Sequence, residues 1–125
     1  MHIASIGIDL GKTTFHLVAL GERNKVLVRK KFSRAQLLVY TANLSSALIG
    51  LEACAGAHFL GARLREQGHE VRLIPAQFVK PYRKSNKNDF IDAEAIAEAV
   101  TKQNMRFVQI KTQETVTRPM RALIS

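Results

Sequence analysis

The chain has 125 residues, of which 46% are hydrophobic, and its formal net charge is +9. This length and composition fit one globular domain with its own core and exclude a chain too polar to fold. The excess of Lys and Arg favours an anionic partner, with nucleic acid as the first candidate. Apolar runs are too short to span a membrane. A single cysteine, Cys54, excludes an internal disulfide and suits the reducing cytoplasm.

The first part of the sequence predicts three strands joined as an antiparallel meander. Residues 3–10 and 15–20 are apolar runs separated by a turn at 11–14, and residues 25–32 alternate in polarity. Such runs are typical of strands. Ser33 is predicted to cap a helix that continues to about residue 44.

The rest of the sequence alternates strands and helices. The predicted elements are a strand at 47–52, a helix at 57–67 closed by Gly68, a strand at 70–74 stopped by Pro75, a short helix at 77–82 and a helix at 90–102. A last β-like run, RFVQIK, begins at Arg106. This order indicates an α/β fold in which helices cover the faces of a mixed sheet.

Two acids end apolar strands. Asp9 follows Ile6 and Ile8, and Glu52 closes the run ALIGLE. A carboxylate in such surroundings is costly unless a cation or a hydrogen-bond donor pairs with it. Open α/β sheets place ligand sites at the carboxyl ends of their strands, so both acids are candidate site residues.

Two further acids lie on the last helix, in NDFIDAEAIAEAV. At about 100° per residue, Asp89 and Asp92 fall on the apolar side of this helix. Glu94 and Glu98 fall on the opposite side and are expected to be solvated. Acids that point inward three residues apart need a cation nearby.

A divalent-metal site would explain why all four acids lie in apolar surroundings. Carboxylates around two divalent ions are the parts of two-metal phosphoryl chemistry. Ligand sets made of oxygen alone select Mg²⁺ or Mn²⁺ over zinc. Each acid also has a simpler role: Asp89 and Asp92 as a helix cap, Glu52 as the cap of the next helix, and Asp9 as a brace for its turn.

A basic cluster precedes Asp89 and is predicted to contact nucleic-acid phosphates. Its members are Lys80, Arg83, Lys84 and Lys87. A solvated loop is the alternative. Residues 29–31, with the sequence Arg-Lys-Lys, form a second candidate.

Other chemistries have weaker support. A P-loop is excluded because Ile6 stands where the first glycine would be. The Asp-x-Gly-x-Thr pattern at residues 9–13 also occurs in the sugar-kinase fold, which leaves an ATP-binding fragment as an alternative. The histidines, His2, His16, His58 and His69, lack the paired spacing of a helical metal site, and a structural role is favoured for His58.

Three motifs carry a resemblance to a known family: GIDLGKTTFHLV, LEACAGAHFLGARLREQGHEVRLIPAQFVKPY and KNDFIDAEAIAEA. The chain resembles the N-terminal domain of the DEDD-type insertion-sequence transposases, which are related to the pilin-gene invertase. The similarity covers nearly all of residues 4–110. The catalytic domain of that family is similar to the Holliday-junction resolvase RuvC.

The resemblance implies a ribonuclease-H-like fold over residues 1–110, with a mixed five-stranded sheet ordered 3-2-1-4-5 and flanking helices. The acidic order of the family is matched by Asp9, Glu52, Asp89 and Asp92. These acids are therefore expected to be the catalytic residues and the ligands of Mg²⁺ or Mn²⁺. The implied function is DNA strand cleavage and transfer during insertion-sequence transposition.

Family members continue through a coiled-coil-like segment into a second domain that carries a serine nucleophile. Residues 111–125 are expected to be the start of that segment, and Ser125 matches no nucleophile motif. The resemblance also implies a structured guide RNA in some members and a homo-oligomer at full length. The alternatives are a stand-alone, metal-dependent, structure-specific nuclease of the same fold and a non-catalytic nucleic-acid-binding module.

Overall fold

A computed structural model describes residues 2–83, 89–102 and 106–110, with the backbone alone at Asp89. The strands β1–β5 span Ser5–Leu10, Phe15–Leu20, Val26–Phe32, Leu48–Glu52 and Glu70–Ile74. The helices α1–α4 span Arg34–Ala42, Ala55–Glu66, Ala76–Val79 and Asp89–Ala99, and short 3₁₀ turns lie at Glu22–Asn24 and Lys80–Tyr82. In the described part of the chain, no helix is long and apolar enough to cross a membrane.

The five strands form one mixed sheet in the order β3-β2-β1-β4-β5. The first three strands pair antiparallel as a meander, whereas β4 runs parallel to both β1 and β5. The predicted fold class and strand order are therefore confirmed, and this is the ribonuclease-H-like α/β arrangement. The β-like run after Arg106 makes only an isolated antiparallel bridge, between Val108 and Leu73.

The sheet has two differently built faces because side chains alternate along each strand. On one face, the fully buried side chains of the central strands pack against α1 and α2 in the main core, with Ile6, Ile8, Ile49 and Leu51 among them. Each such side chain contributes roughly 1.5–3 kcal/mol through burial. The intervening residues face the other way and lie under α4.

Small residues let α4 lie very close to this second face. A Cβ atom on Gly7 would lie 2.1 Å from the carbonyl oxygen of Ala93, and one on Gly50 would lie 2.8 Å from Cβ of Val100. The buried hydroxyl of Ser5 donates a hydrogen bond to the carbonyl oxygen of Ala97 over 2.7 Å. Helix α4 is thus fixed against β1 and β4.

The predicted helix boundaries are confirmed at α1 and shifted by a few residues elsewhere. Ser33 caps α1 in a capping box, in which the amide of Gln36 donates to the Ser33 hydroxyl and the Gln36 side chain accepts from the Ser33 amide. Gly68, with φ of +97°, follows α2 as predicted. Helix α4 ends at Ala99 because the chain tightens there, with the Thr101 amide bonding to Glu98.

Candidate active site

Asp9 and Glu52 lie side by side at the carboxyl ends of two neighbouring parallel strands. The paired register of β1 and β4 ends with Ile8 opposite Leu51, and Asp9 and Glu52 are the next residue on each strand. Because Ile8 and Leu51 point into the main core, both acids point to the face that α4 covers.

The first turn of α4 brings Asp92 to the same place. Asp92 lies one turn before Ile96, whose side chain contacts the Gly50 position of β4. The side chain of Asp92 is only 23% exposed, and that of Glu52 is 28% exposed. Asp89 is the first residue of α4, and its side chain lies outside the described residues.

Arg83 joins the strand acid to the helix acid. Its Nη2 donates a hydrogen bond to Oε2 of Glu52 over 2.9 Å, and its Nε lies 2.9 Å from Oδ1 of Asp92. The second contact is an ion pair without hydrogen-bond alignment: both atoms are buried, and neither makes a hydrogen bond. One guanidinium group thus neutralises part of a strongly acidic pocket.

The segment before Arg83 is held by packing. Helix α3 ends with the fully buried Val79, and the following 3₁₀ turn places Tyr82 against the same cluster, which includes Ile96 and Val100 of α4. The amide of Arg83 then bonds to the carbonyl oxygen of Lys80 over 3.1 Å. Arg83 therefore enters the acidic pocket from an anchored backbone.

The donor set fits a hard divalent cation, although the described side chains do not enclose one. No three acidic, histidine or cysteine side chains among the described residues are close enough to hold a metal ion. A guanidinium cation instead lies between Glu52 and Asp92, and the buried Oδ1 of Asp92 accepts no hydrogen bond. Carboxylate oxygens with spare acceptor capacity are the ligands that Mg²⁺ and Mn²⁺ prefer.

The residues of the predicted phosphate-binding cluster differ in exposure and in what they contact. Lys80 is exposed and Arg83 faces the acids, so in this state Arg83 is engaged with carboxylates. Lys84 and Lys87 lie outside the described residues. At the second candidate, Lys30 points to α1 and stacks 5.2 Å from the ring of Tyr40.

Glu94 and Glu98 are less solvated than predicted. Both are half-buried, because α4 packs closely on β1 and β2. Glu94 lies 3.8 Å from Arg29, and Glu98 accepts a hydrogen bond from Asn24 over 3.4 Å. They are directed away from Asp92, as the helix phase predicted, but Glu94 contacts the edge strand β3 and Glu98 contacts the turn before it.

Sequence reasoning missed Arg83 as a partner of the acids and His16 as their neighbour. In the hairpin register, His16 lies directly opposite Asp9, and Lys31 lies opposite His16 on the next strand. The His16 ring meets the ring of Phe90, in the first turn of α4, edge to face at 4.9 Å. Pairing the two predicted strands residue by residue outward from the 11–14 turn would have placed His16 opposite Asp9.

Two alternative roles are resolved by the structure. Glu52 does not cap α2, since that helix begins after Cys54 without a side-chain cap. His69, for which the sequence predicted no role, is structural: the amide of Ala47 donates to its Nδ1 over 3.1 Å, and its Nε2 lies 2.8 Å from the carbonyl oxygen of Thr41.

Comparison with known protein sequences identifies the family of this chain. The sequence model of a family described as a transposase, the DEDD transposases of the IS110 type, matches residues 6–124. A transposase for insertion sequence element IS1328 from Yersinia enterocolitica is 47% identical over 113 residues, which is 90% of this chain and 34% of that relative. A probable family 20 transposase from Pseudomonas aeruginosa is 43% identical over 91% of this chain and 34% of its own length.

A third relative, the transposase for insertion sequence element IS1111A from Coxiella burnetii, is 43% identical over 90% of this chain and 31% of its own length. The chain thus spans about a third of the length of the curated relatives that it matches. These matches confirm the resemblance found in the motifs, and the chain belongs to the IS110-type family of DEDD transposases.

Proposed function

We propose that this chain forms the metal-binding catalytic domain of a DNA transposase. Asp9, Glu52, Asp89 and Asp92 would be the ligands of Mg²⁺ or Mn²⁺ and would act on a nucleic-acid phosphate. The observation that carries this proposal is the meeting of the strand acid Glu52 and the helix acid Asp92 on one guanidinium group.

The acids of this chain are arranged to hold positive charge at a fixed place. Asp9 and Glu52 project from paired strands, and Asp92 projects from a helix that the Gly7 and Gly50 contacts hold against those strands. Divalent ions held in such a site stabilise charge on the attacking and leaving oxygens of a phosphoryl transfer. The rigid support of the three side chains would preorganise them for that task.

Basic side chains near the acids would hold the nucleic-acid backbone. Lys80 is exposed, and Lys84 and Lys87 continue the same segment of the sequence, so we assign these lysines to phosphate contacts. Lys31 lies in the same row across the sheet as His16 and Asp9 and would extend the contact on the side of β3. The net charge of +9 supports an anionic partner of this kind.

Strand transfer by the whole protein is part of the proposal. Residues 111–125 would begin the segment that leads to the serine-bearing domain of a full-length transposase, which we expect to act as a homo-oligomer on DNA in the cytoplasm. A structured guide RNA is a further proposed partner. Residues 1–110 would by themselves bind nucleic acid without completing transposition.

Filter binding tests the nucleic-acid part of this proposal. The chain would be titrated against linear DNA, branched DNA and structured RNA over a salt series, with and without Mg²⁺. We expect binding that weakens steeply with salt, because it depends on phosphate contacts. Absence of binding to all three at low salt would contradict the proposal.

A stand-alone nuclease is the second candidate function, because all four acids of the proposed site lie within this chain. The same reactions, resolved on a denaturing gel, separate the two candidates. Efficient cutting of branched DNA by the 125-residue chain, lost in Asp9→Asn, would favour the nuclease. Binding without cutting would favour the transposase domain.

A further inference from the structure

We propose that Arg83 is a displaceable counter-ion, which occupies the acidic pocket until a divalent cation enters and then turns to a nucleic-acid phosphate. Through this exchange, metal binding and nucleic-acid binding would promote each other. The inference rests on the proposed function, since it takes Glu52 and Asp92 to be ligands of the cation.

The first support is the way in which Arg83 occupies the pocket. It contacts the two acids through different nitrogens, Nη2 to Glu52 and Nε to Asp92, each over 2.9 Å. Its side chain is only 18% exposed, so the guanidinium lies between the carboxylates and does not cover them from outside. A divalent cation bound to both acids would meet this positive charge at close range, and the two cations would repel each other.

The second support is the incomplete pairing of the guanidinium. The Nε of Arg83 and the Oδ1 of Asp92 are buried and in contact, yet neither makes a hydrogen bond. Arginine forms its strongest contacts through two parallel hydrogen bonds to one carboxylate or phosphate. Arg83 instead makes one aligned hydrogen bond to Glu52 and an unaligned contact with Asp92. The contact with Asp92 is therefore one that a better-matched cation can replace.

The third support is the position of Arg83 in the chain. Its backbone follows the 3₁₀ turn anchored by Tyr82, and the exposed Lys80 lies on the same turn. A side-chain rotation would carry the guanidinium from the acids toward the surface that Lys80 marks, without movement of the sheet or of α4. Because such coupling is reciprocal, a phosphate that attracts Arg83 would also raise the affinity of the acids for the cation.

Mn²⁺ binding followed by electron paramagnetic resonance tests the exchange. Wild type, Arg83→Gln, Lys80→Gln and Asp92→Asn would be titrated with Mn²⁺ alone. We expect Arg83→Gln to bind Mn²⁺ about tenfold more tightly than wild type, a change of ~1.4 kcal/mol, because the competing cation is gone. Lys80→Gln removes a like charge three residues earlier in the chain, and with no nucleic acid present it should change the Mn²⁺ affinity by less than about twofold.

A second titration, with linear DNA present, measures the coupling. DNA should raise the Mn²⁺ affinity of wild type more than that of Arg83→Gln, since only wild type has a guanidinium to release. A merely structural role for Arg83 predicts weaker Mn²⁺ binding in Arg83→Gln, and that result, or an unchanged affinity, would overturn the proposal. Equal binding by wild type and Asp92→Asn would instead overturn the proposed metal site, and this inference with it.

A measurement on the wild-type protein tests the exchange without relying on the folding of a variant. The Nε–H resonance of Arg83 would be followed by nuclear magnetic resonance during a Mg²⁺ titration. We expect it to move with the same midpoint as Mg²⁺ binding. A resonance that stays in place while Mg²⁺ binds would show that the guanidinium remains between the acids and would contradict the exchange.

Discussion

Gly7 of β1 lies directly beneath the backbone of Ala93 in α4, with no room for a side chain between them. A Cβ atom at Gly7 would approach the Ala93 carbonyl oxygen to 2.1 Å and the Ala97 amide nitrogen to 2.4 Å. Both neighbours are backbone atoms, so the contact cannot be relieved by a rotamer change. This close approach sets the height of α4 above the sheet and thereby the position of Asp92 relative to Glu52.

Gly7→Ala should therefore damage stability and the site together. We expect a loss of about 3 kcal/mol in the free energy of unfolding, since a methyl group forced against backbone shifts the helix. Mg²⁺ should stabilise this variant less than wild type, because Asp92 moves away from the strand acids. Urea unfolding with and without Mg²⁺ measures both effects.

Gly56→Ala is the matched control for that substitution. Gly56 lies in α2, and its added Cβ would be 3.6 Å from the nearest atom, in Leu10, an ordinary contact distance. Alanine favours helix over glycine, so we expect a gain of up to about 0.5 kcal/mol. A Gly7→Ala protein as stable as Gly56→Ala would show that the contact of α4 with β1 is looser than described.

Phe90 anchors the first turn of α4 against the sheet. Its ring meets His16 edge to face at 4.9 Å and packs with the cluster of Val18 and Leu20. Phe90→Leu should cost about 1 kcal/mol of stability through the lost ring contact and should weaken Mg²⁺ binding. Phe59→Leu, at a half-exposed ring in α2, is the control that should leave Mg²⁺ binding unchanged. Equal metal affinity in both variants would mean that Phe90 does not help to place Asp92.

Lys80 and Lys30 should differ in their effect on nucleic-acid binding. Lys80 is exposed on the turn that leads to Arg83, whereas Lys30 points to α1 on the other face of the sheet and stacks over Tyr40. Lys80→Ala should reduce the slope of log affinity against log salt by about 0.9 for duplex DNA, as expected for one lost phosphate contact. Lys30→Ala should leave that slope unchanged. A larger change for Lys30→Ala would place the nucleic acid on the face of α1.

His69 should matter for folding and leave the site intact. Its ring joins the amide of Ala47 to the carbonyl of Thr41 within the protein. His69→Leu should cost about 3 kcal/mol, because a buried carbonyl and a partly buried amide each lose a partner. Calorimetric Mg²⁺ affinity, measured below the lowered melting temperature, should equal that of wild type. A lost affinity would contradict a purely structural role for His69.

Much of the fold could be predicted because the local signals agree with one another. The strand 15–20, the helix cap at Ser33 and the glycine after α2 each follow from residue type and spacing, and the structure has them there. The strand order was available only through the family resemblance. Apolar strand patterns show which face is buried, but they do not identify the neighbouring strand.

The candidate site was harder to predict than the fold. Helix phase correctly separated Asp92 from Glu94 and Glu98, yet it could not show that the latter two contact β3 and the turn before it. The pairing of Arg83 with the acids was not predicted, because a basic side chain in a basic segment is first interpreted as a phosphate contact. Its link to Glu52 and Asp92 depends on how the 3₁₀ turn packs against α4, which no local pattern encodes.

Thermal unfolding in a Mg²⁺ series tests whether Asp9, Glu52, Asp89 and Asp92 form one divalent-cation site. Wild type and Glu98→Gln should both gain stability as Mg²⁺ rises, by about 2.7 kcal/mol at a hundred times the dissociation constant. Asp9→Asn and Asp92→Asn should gain little, because each removes a ligand. The same Mg²⁺ response in all four proteins would contradict the claim.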